Sequence, residues 1–488
     1  MLRPWHVSLV VRRGSPTALY LQIAHAIIEE VRRGRLAPGD ALPGTRELAE
    51  ELEVSRKTIV AAYEELSIQG WGVTEAKRGT FVSEKPPLPP AYAEKVAGAS
   101  GVIQSRRAAP DMPVLRTDED ILTFDDGAPD TRIAPIGELG RAWRRALTTL
   151  ARGGRLGYGD PRGQLRLRQA LSTMLNLDRG LSTTPDEICT VRGSQMGIYL
   201  AARVLAGPGD AVAMEALSYP PAREAFRAAG AEVLTVGLDE NGLDLESLET
   251  LCRRRRIRAV YVTPHHQFPT TVLMPPARRM RLLLLAEQFD FALVEDDYDH
   301  EFHFTHQPML PLASADRLAR VVYVGSMSKV LTPSIRLGYV AAARPLIERL
   351  ALEAALIDRQ GDPATEGAIA EMMEAGELGR HTRRALKVYA ERRQAFGGLL
   401  KERLAGRVQF KLPDGGLAVW VTFEEGVDPA ALAAASFKRR LRLHPGSAFS
   451  MDGRSVNGAR LGYARLNGAE AAQAADRLAR AFADMGRA

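Results

Sequence analysis

Short apolar runs alternate with segments of helical periodicity from residue 124 onward, and this alternation is the strongest constraint on the fold. The runs lie at residues 211–214, 232–236, 259–262, 292–294, 321–324 and 338–342. Nearly continuous apolar runs between helices are typical of parallel strands that are buried on both faces of a sheet. We therefore predict an α/β fold with a mostly parallel sheet. A smaller α+β portion, with strands at 417–421 and 459–463, is expected from about residue 343.

Length and composition limit the class of protein. The chain has 488 residues, more than one ordinary domain, with 45% hydrophobic and 25% charged residues, as in globular proteins. No apolar run reaches the roughly eighteen residues that a membrane span needs, and the first residues lack a signal-peptide pattern. We therefore expect a cytoplasmic protein. Its two cysteines, Cys189 and Cys252, provide no disulfide framework.

The first 83 residues carry the pattern of a winged helix-turn-helix. An apolar stripe predicts a helix at 19–33, Thr45 is placed to cap a helix at 46–52, and Ser55 to cap one at 56–69. Two strands at 70–73 and 80–82 flank a turn at 76–79, which makes a wing. We predict a DNA-binding domain at 1–83, a proline-containing linker at 84–120, and a second domain at 121–488.

Binding of double-stranded DNA is predicted from the placement of charge in this segment. Residues 1–83 hold 11 Lys and Arg against 10 Asp and Glu, a net of +1, so bulk basicity cannot carry the argument. Residues at the start of a recognition helix contact the major groove and the backbone, and a wing tip can approach the backbone closely. The candidates are Arg46, Ser55, Arg56, Lys57, Thr58, Arg78, Gly79 and Thr80.

Three apolar runs of the second domain end in polar motifs, at residues 263–270, 296–299 and 325–329. Ligands bind beyond the carboxyl ends of parallel strands, so these motifs can converge on one pocket. Lys329 can form a Schiff base with the aldehyde of pyridoxal phosphate, and Asp296 can pair with the ring nitrogen. Tyr298, two residues on, faces the same side and can donate to the phenolic oxygen. Asp297 is expected to point away.

A phosphate site is predicted beside this lysine. Ser326 and Arg336 can hold the phosphate. Ser194 and Gln195, at a predicted helix start, can supply further donors. Together these residues predict pyridoxal phosphate as the cofactor.

These motifs carry a family resemblance. Residues 1–83 resemble the GntR-type winged helix at 18–23, 36–40, 42–49, 54–59, 62–66 and 78–82. Residues 125–462 resemble the fold type I aminotransferases at 126–130, 158–163, 193–195, 263–270, 296–302 and 326–338. The combination resembles the MocR/GabR regulators. The chain departs from these patterns at Gly44 and His265, where serine is common, and at Thr271, where glycine is common.

The resemblance implies further roles. Lys329 would be the catalytic lysine, Tyr219 would lie against the cofactor ring, and Arg460 would take the carboxylate of an amino-acid effector. Arg223 is a candidate for a second carboxylate contact. A homodimer is also implied, since fold type I proteins build their sites near a dimer interface.

Two functional hypotheses follow. In the first, the chain is a transcriptional regulator whose aminotransferase-like domain senses pyridoxal phosphate, a small amine or an amino acid through aldimine formation. In the second, it is a working aminotransferase with an accessory DNA-binding domain. His300, His303 and His306 have a spacing that could suggest a metal site, but no clear fourth ligand accompanies them, so we predict no metal.

Overall fold

The computed structural model describes residues 9–87, 121–304, 308–317 and 319–485. The chain divides into two compact units, Met1–Ala108 and Ala109–Ala488. Most of the predicted linker, residues 88–120, lies outside the described residues, so the boundaries at 83 and 120 stay a prediction. Within the described ranges, no helix is both long and apolar enough to cross a membrane.

The first unit is a winged helix. Its helices are α1 (Leu19–Arg32), α2 (Thr45–Glu51) and α3 (Arg56–Ile68), and its wing is the antiparallel pair β1 (Gly72–Glu75) and β2 (Gly79–Val82). The apolar stripe of α1 packs into a core with α3, Trp71 and Val82.

One predicted helix cap is confirmed and the other is wrong. Ser55 caps α3, since its hydroxyl accepts from the Thr58 N–H at 3.2 Å. Thr45 is instead the first residue of α2, and Gly44 holds the cap position. The Glu47 carboxylate accepts from the Gly44 N–H at 3.4 Å, so the backbone of residue 44 is satisfied without a capping hydroxyl.

The second unit contains the remaining strands. They are β3 (Leu122–Thr123), β4 (Ile188–Val191), β5 (Ala211–Glu215), β6 (Glu232–Val236), β7 (Leu238–Asp239), β8 (Gly242–Leu243), β9 (Ile257–Val262), β10 (Ala292–Asp297), β11 (Val321–Ser326), β12 (Gly338–Ala341), β13 (Val408–Phe410), β14 (Ala418–Phe423), β15 (Leu441–Arg442) and β16 (Ala459–Gly462).

The helices of this unit cover its sheets. They are α4 (Ile136–Arg152), α5 (Leu165–Arg179), α6 (Ser194–Leu205), α7 (Pro220–Ala229), α8 (Leu245–Arg254), α9 (Pro276–Gln288), α10 (Arg344–Asp358), α11 (Pro363–Glu374), α12 (Glu377–Arg403), α13 (Pro429–Lys438) and α14 (Gly468–Met485).

The central sheet has seven strands in the order β4-β12-β11-β10-β9-β5-β6. Neighbouring strands run parallel except β12, which is antiparallel to both β11 and β4. The predicted mostly parallel sheet is therefore confirmed, and all six predicted strands belong to it. The sequence interpretation missed β4, whose four residues include the polar Thr190 and Cys189.

A second sheet, β13-β14-β16, packs against α12, α13 and α14 in a separate core. The smaller α+β portion predicted from residue 343 is thus present. The start of the second unit also belongs to this portion, because β3 pairs with β15 and Phe124 is buried in the same core.

Candidate cofactor and DNA-binding sites

Three adjacent parallel strands bring the three polar motifs to one edge of the sheet. Val262 of β9 lies opposite Glu295 of β10, and Asp297 of β10 lies opposite Gly325 of β11. The segments that follow β9, β10 and β11 therefore leave the sheet side by side. This is the convergence that the sequence predicts.

One cavity at this edge is lined by five of the predicted residues and two others. They are Lys329, Asp296, Tyr298, Ser194 and Tyr219, together with Asp126 and Phe268. The last two fall inside motifs that the sequence singles out, but nothing in their spacing marks them as lining residues. The edge of the Tyr219 ring meets Phe268 with centroids 5.4 Å apart.

Lys329 lies beside a carboxylate inside this cavity. Its Nζ is 3.9 Å from Asp126 Oδ1, and its side chain is 18% exposed. The ammonium group of Lys329 is the main reason that the pKa of Asp126 is lowered, with Arg460 and His444 adding to the effect. The amine is thus accessible to a small molecule and has a counterion.

Asp296 is buried and partly without hydrogen-bond partners. Its Oδ2 accepts from the Tyr261 hydroxyl at 2.7 Å, and its Oδ1 has no hydrogen-bond partner among the described residues. Burial, reinforced by the charges of Asp297 and Asp299, raises the pKa of Asp296 to about 7. A cationic N–H placed at Oδ1 would relieve this penalty. Tyr261 holds the carboxylate in place and was not predicted.

Tyr298 connects the cavity to two neighbouring segments. Its hydroxyl donates to the His266 carbonyl at 2.9 Å and accepts from Arg460 Nη2 at 3.3 Å. Burial raises the pKa of this phenol above its ordinary value. The predicted contact with a cofactor oxygen stays a prediction.

The predicted phosphate residues cluster at the start of α6. Gly193 adopts φ 76° directly before the helix, and Arg336 donates to the Arg192 carbonyl at 2.7 Å. A Cβ on residue 193 would lie 2.8 Å from the Arg336 guanidinium, so only glycine allows this approach. Ser326 Oγ accepts from the Ser328 N–H at 3.2 Å.

Gln195 differs from its neighbours in this cluster. Its side-chain amide donates to the Pro221 carbonyl at 3.0 Å, and it is not among the residues that line the cavity. A phosphate contact from Gln195 would therefore use the backbone N–H of the helix start.

Arg460 is almost fully buried on β16, at 1% exposure. Its guanidinium donates to the backbone carbonyls of Asp126 and Pro269, both at 2.9 Å. The guanidinium carbon Cζ lies 4.7 Å from the centroid of the Phe268 ring. It therefore lies directly behind the aromatic side of the cavity. Arg223 on α7 pairs with Glu224 at 2.9 Å, and its carboxylate contact stays a prediction.

Asp297 points away from the cavity, as the alternation of the strand predicts. It accepts from the Tyr323 hydroxyl at 2.7 Å and contacts His300 Nδ1 at 2.8 Å. His300 and His303 are buried beside His265 and His266, which the sequence interpretation did not group with them. Burial lowers the pKa of His265 well below its usual value. His306 lies outside the described residues.

Most of the predicted DNA-contacting residues are exposed on the first unit. Arg46, Ser55, Arg56, Lys57, Arg78 and Gly79 are exposed, and Thr58 is half-buried. Arg56 Nε donates to Thr45 Oγ1 at 3.2 Å, which joins the starts of α2 and α3. Thr80 is buried and its hydroxyl lies 3.1 Å from that of Thr74, so its side chain supports the wing from inside.

Comparisons with known proteins agree with both halves of this architecture. The family model for bacterial regulatory proteins of the gntR family matches residues 19–82, and that for aminotransferase class I and II matches residues 120–478. The chain belongs to the MocR/GabR type of transcriptional regulator, which joins these two domains.

Individual relatives span nearly the whole chain. It is 29% identical to the probable rhizopine catabolism regulatory protein MocR of Rhizobium meliloti, covering 94% of this chain and 92% of that protein. It is 30% identical to the HTH-type transcriptional regulator TauR of Rhodobacter capsulatus, covering 97% and 99%. The solved structure of LysN, an α-aminoadipate aminotransferase of Thermus thermophilus, is 30% identical with a TM-score of 0.70, covering 76% and 94%.

The aminotransferase domain implies pyridoxal phosphate, and the winged helix implies DNA binding. The cavity fits the cofactor on independent grounds. Asp296 Oδ1 is a buried acceptor without a partner in the described part of the chain, which suits a protonated ring nitrogen. The glycine-dependent approach of Arg336 to the start of α6 suits a phosphate.

Proposed function

We propose that this protein regulates transcription by binding pyridoxal phosphate, together with a small amine or amino acid, in its aminotransferase-like domain, and operator DNA through its winged helix. The observation that carries the proposal is the meeting of Lys329, Asp296 and Tyr298 in one cavity of a chain whose first unit exposes the start of a recognition helix.

Different residues of the cavity would bind different parts of the cofactor. Lys329 supplies the amine, and Asp296 holds a proton at the ring nitrogen. Ser194, Ser326 and Arg336 bind the phosphate at the start of α6, and Tyr219 and Phe268 enclose the ring. When bound, the cofactor supplies an aldehyde that a primary amine can attack, which makes the site a detector of amines.

Arg460 is the proposed reader of an effector carboxylate. Three of its five N–H groups are engaged by Asp126, Pro269 and Tyr298, which leaves one on each terminal nitrogen for a bidentate contact. Because the Arg460 guanidinium lies near the Phe268 and Tyr298 rings, which line the same cavity as Lys329, an amino acid that bridges Lys329 and Arg460 would also contact these rings.

Regulation requires that the effector bind two conformations unequally. We propose that a homodimer presents two winged helices to two half-sites, and that the effector changes the population of the DNA-binding form.

The first test is direct. The purified protein should take up pyridoxal phosphate, and borohydride reduction followed by mass spectrometry should locate it on Lys329. Lys329→Ala should fold and lose the covalent link, whereas Lys411→Ala should keep it. Finding the link on another lysine of the wild-type protein would reject the site.

A working aminotransferase is the second candidate, favoured by the lysine and aspartate at the cavity and by the 30% identity to LysN. Turnover also requires proton transfer by the released lysine. A steady-state assay with an amino donor and a keto-acid acceptor separates the two functions. Sustained turnover without any effect of the donor on DNA binding would favour the enzyme.

A further inference from the structure

Four buried histidines form a cluster beside the cofactor cavity. His265 and His266 follow β9, and His300 and His303 follow β10, the neighbouring strand. Each is at most 5% exposed. The His265 ring centroid lies 4.6 Å from that of His266, 4.7 Å from that of His300 and 4.9 Å from that of His303.

Three of these imidazoles have nitrogen atoms within reach of a single ion. One ring nitrogen from each of His265, His266 and His303 lies within 4.8 Å of the others. Tetrahedral zinc, with bonds of about 2.0–2.1 Å, places its ligand nitrogens about 3.3 Å apart. The nitrogens would therefore have to approach one another by at most about 1.5 Å to bind one zinc ion.

His265 has an unsatisfied polar ring. Neither of its ring nitrogens has a hydrogen-bond partner in the described part of the chain, and the residue is only 2% exposed. Burying an imidazole without partners costs free energy, because one ring nitrogen carries a hydrogen and the other a lone pair, and both would form hydrogen bonds with water. A metal ion would satisfy one of these nitrogens.

A carboxylate orients the His266 ring as metal sites require, and backbone pairing holds the segment that carries His303. His266 Nδ1 lies 2.7 Å from Asp299 Oδ1, so its N–H donates to the carboxylate and its Nε2 carries the lone pair. A Cβ on residue 415 would lie 2.6 Å from that Nε2, so Gly415 keeps it clear of a side chain. His303 pairs with Gly415 through the backbone, which fixes its segment.

A second grouping, His265 with Asp297 and His300, is less suitable. Asp297 already accepts from Tyr323 and contacts His300, so a metal would have to displace these partners. The three-histidine set offers only imidazole nitrogens, and His266 can keep its contact with Asp299 while its Nε2 binds the metal. His300 stacks on His265 and supports it.

The three-histidine set also has an open side. His266 and His303 line a cavity of about 640 Å³ that includes Thr270, Thr271 and Asp414. An ion can enter from there, and a water can fill a fourth coordination position.

We propose that His265, His266 and His303 bind a divalent transition-metal ion of the Zn²⁺ class, with the fourth position facing the cavity. Three neutral imidazoles favour such an ion over Mg²⁺ or Ca²⁺, which prefer oxygen ligands. The proposal does not depend on the proposed function, and it revises the expectation of no metal that we drew from His300, His303 and His306 alone.

The test uses the full chain freed of metal by a chelator. Titration with Zn²⁺ against a chromophoric chelator should give one ion per chain. His265→Asn and His303→Asn should each weaken binding at least tenfold. The matched control is His25→Asn on the exposed face of α1, which should bind like the wild type. Stoichiometry below half an ion, or equal loss in the control, would overturn the proposal.

A spectroscopic measurement on the wild type guards against misfolded variants. X-ray absorption of the Zn²⁺ complex should show three imidazole nitrogens, and Co²⁺ in its place should give the intense visible bands of four-coordinate geometry. Fewer than two imidazoles, or the weak bands of six-coordinate Co²⁺, would reject the site. Mg²⁺ should not compete in either measurement.

Discussion

Thr271 adopts φ 65°, a left-handed conformation that β-branched residues rarely occupy. Thr271 is also one of the positions at which this chain departs from the family pattern, in which glycine is common. The structure supplies the reason, since the loop after β9 reverses at this residue and the Thr271 N–H bonds to the Gln267 carbonyl at 2.7 Å. The residue keeps a turn that glycine would form without strain.

We predict that Thr271→Gly raises the free energy of unfolding by on the order of 1 kcal/mol, because it releases left-handed strain that exceeds the added chain entropy. Urea unfolding measures it. Thr270→Gly is the matched control, because Thr270 has no positive φ and its hydroxyl bonds to Gln267 at 2.5 Å. Equal destabilisation by both changes would contradict the strain.

We predict that Asp296 makes the free energy of unfolding of the cofactor-free protein depend on pH. Its pKa is about 7 when folded, above the ordinary carboxyl value, because it is buried. The folded state therefore binds more protons than the unfolded state between about pH 4 and pH 7, and stability from this group is lost as pH rises through that window.

Asp296→Asn should flatten the fall in the free energy of unfolding between pH 5 and pH 7, measured by urea unfolding at each pH. Asp178→Asn, at an exposed position, serves as the control and should leave the slope unchanged. An unaltered slope in Asp296→Asn would show that other buried carboxyls, such as Glu295, carry the effect.

At the scale of elements, the start of α6 depends on a residue without a side chain. Gly193 combines φ 76° with a guanidinium 2.8 Å from where its Cβ would lie. The helix N-terminus and Arg336 can thus face the same anion.

We predict that Gly193→Ala lowers the affinity for pyridoxal phosphate at least tenfold, or about 1.4 kcal/mol, because Arg336 is displaced. Fluorescence titration of the cofactor measures it. Gly209→Ala is the matched control, since residue 209 also has a positive φ (92°) but its Cβ would have no neighbour within 4 Å. If both variants lost affinity equally, general strain would explain the result.

At the scale of the whole molecule, the cofactor site and the DNA surface lie in separate compact units. A change that affects only contacts with DNA should therefore leave the cofactor site intact. Arg56, at the exposed start of α3, is the most direct probe of this separation.

We predict that Arg56→Ala weakens DNA binding at least tenfold and lowers the dependence on salt, because a phosphate or base contact is lost, while cofactor uptake is unchanged. Gel shifts would use a duplex that the wild-type protein selects from a random library. Arg33→Ala is the control, because Arg33 directly follows α1 and its guanidinium lies 3.8 Å from Glu30, outside the predicted DNA contacts. Wild-type affinity in Arg56→Ala would exclude this docking surface.

Local sequence patterns are sufficient to predict the parts of this protein that depend on residues close together in the chain. Apolar runs give the strands of the central sheet, since burial on both faces demands continuous apolar residues. The Ser55 cap and the position of Lys329 after β11 could also be predicted, because each depends on residues close in sequence.

Contacts between residues that are distant in sequence are visible only in the tertiary structure. Tyr261 on β9 reaches Asp296 on β10, and His265 reaches His303 across the same strand pair, although no local pattern links them. Such contacts depend on strand order and register, which are fixed by packing of the whole chain and not by the spacing of residues within one segment.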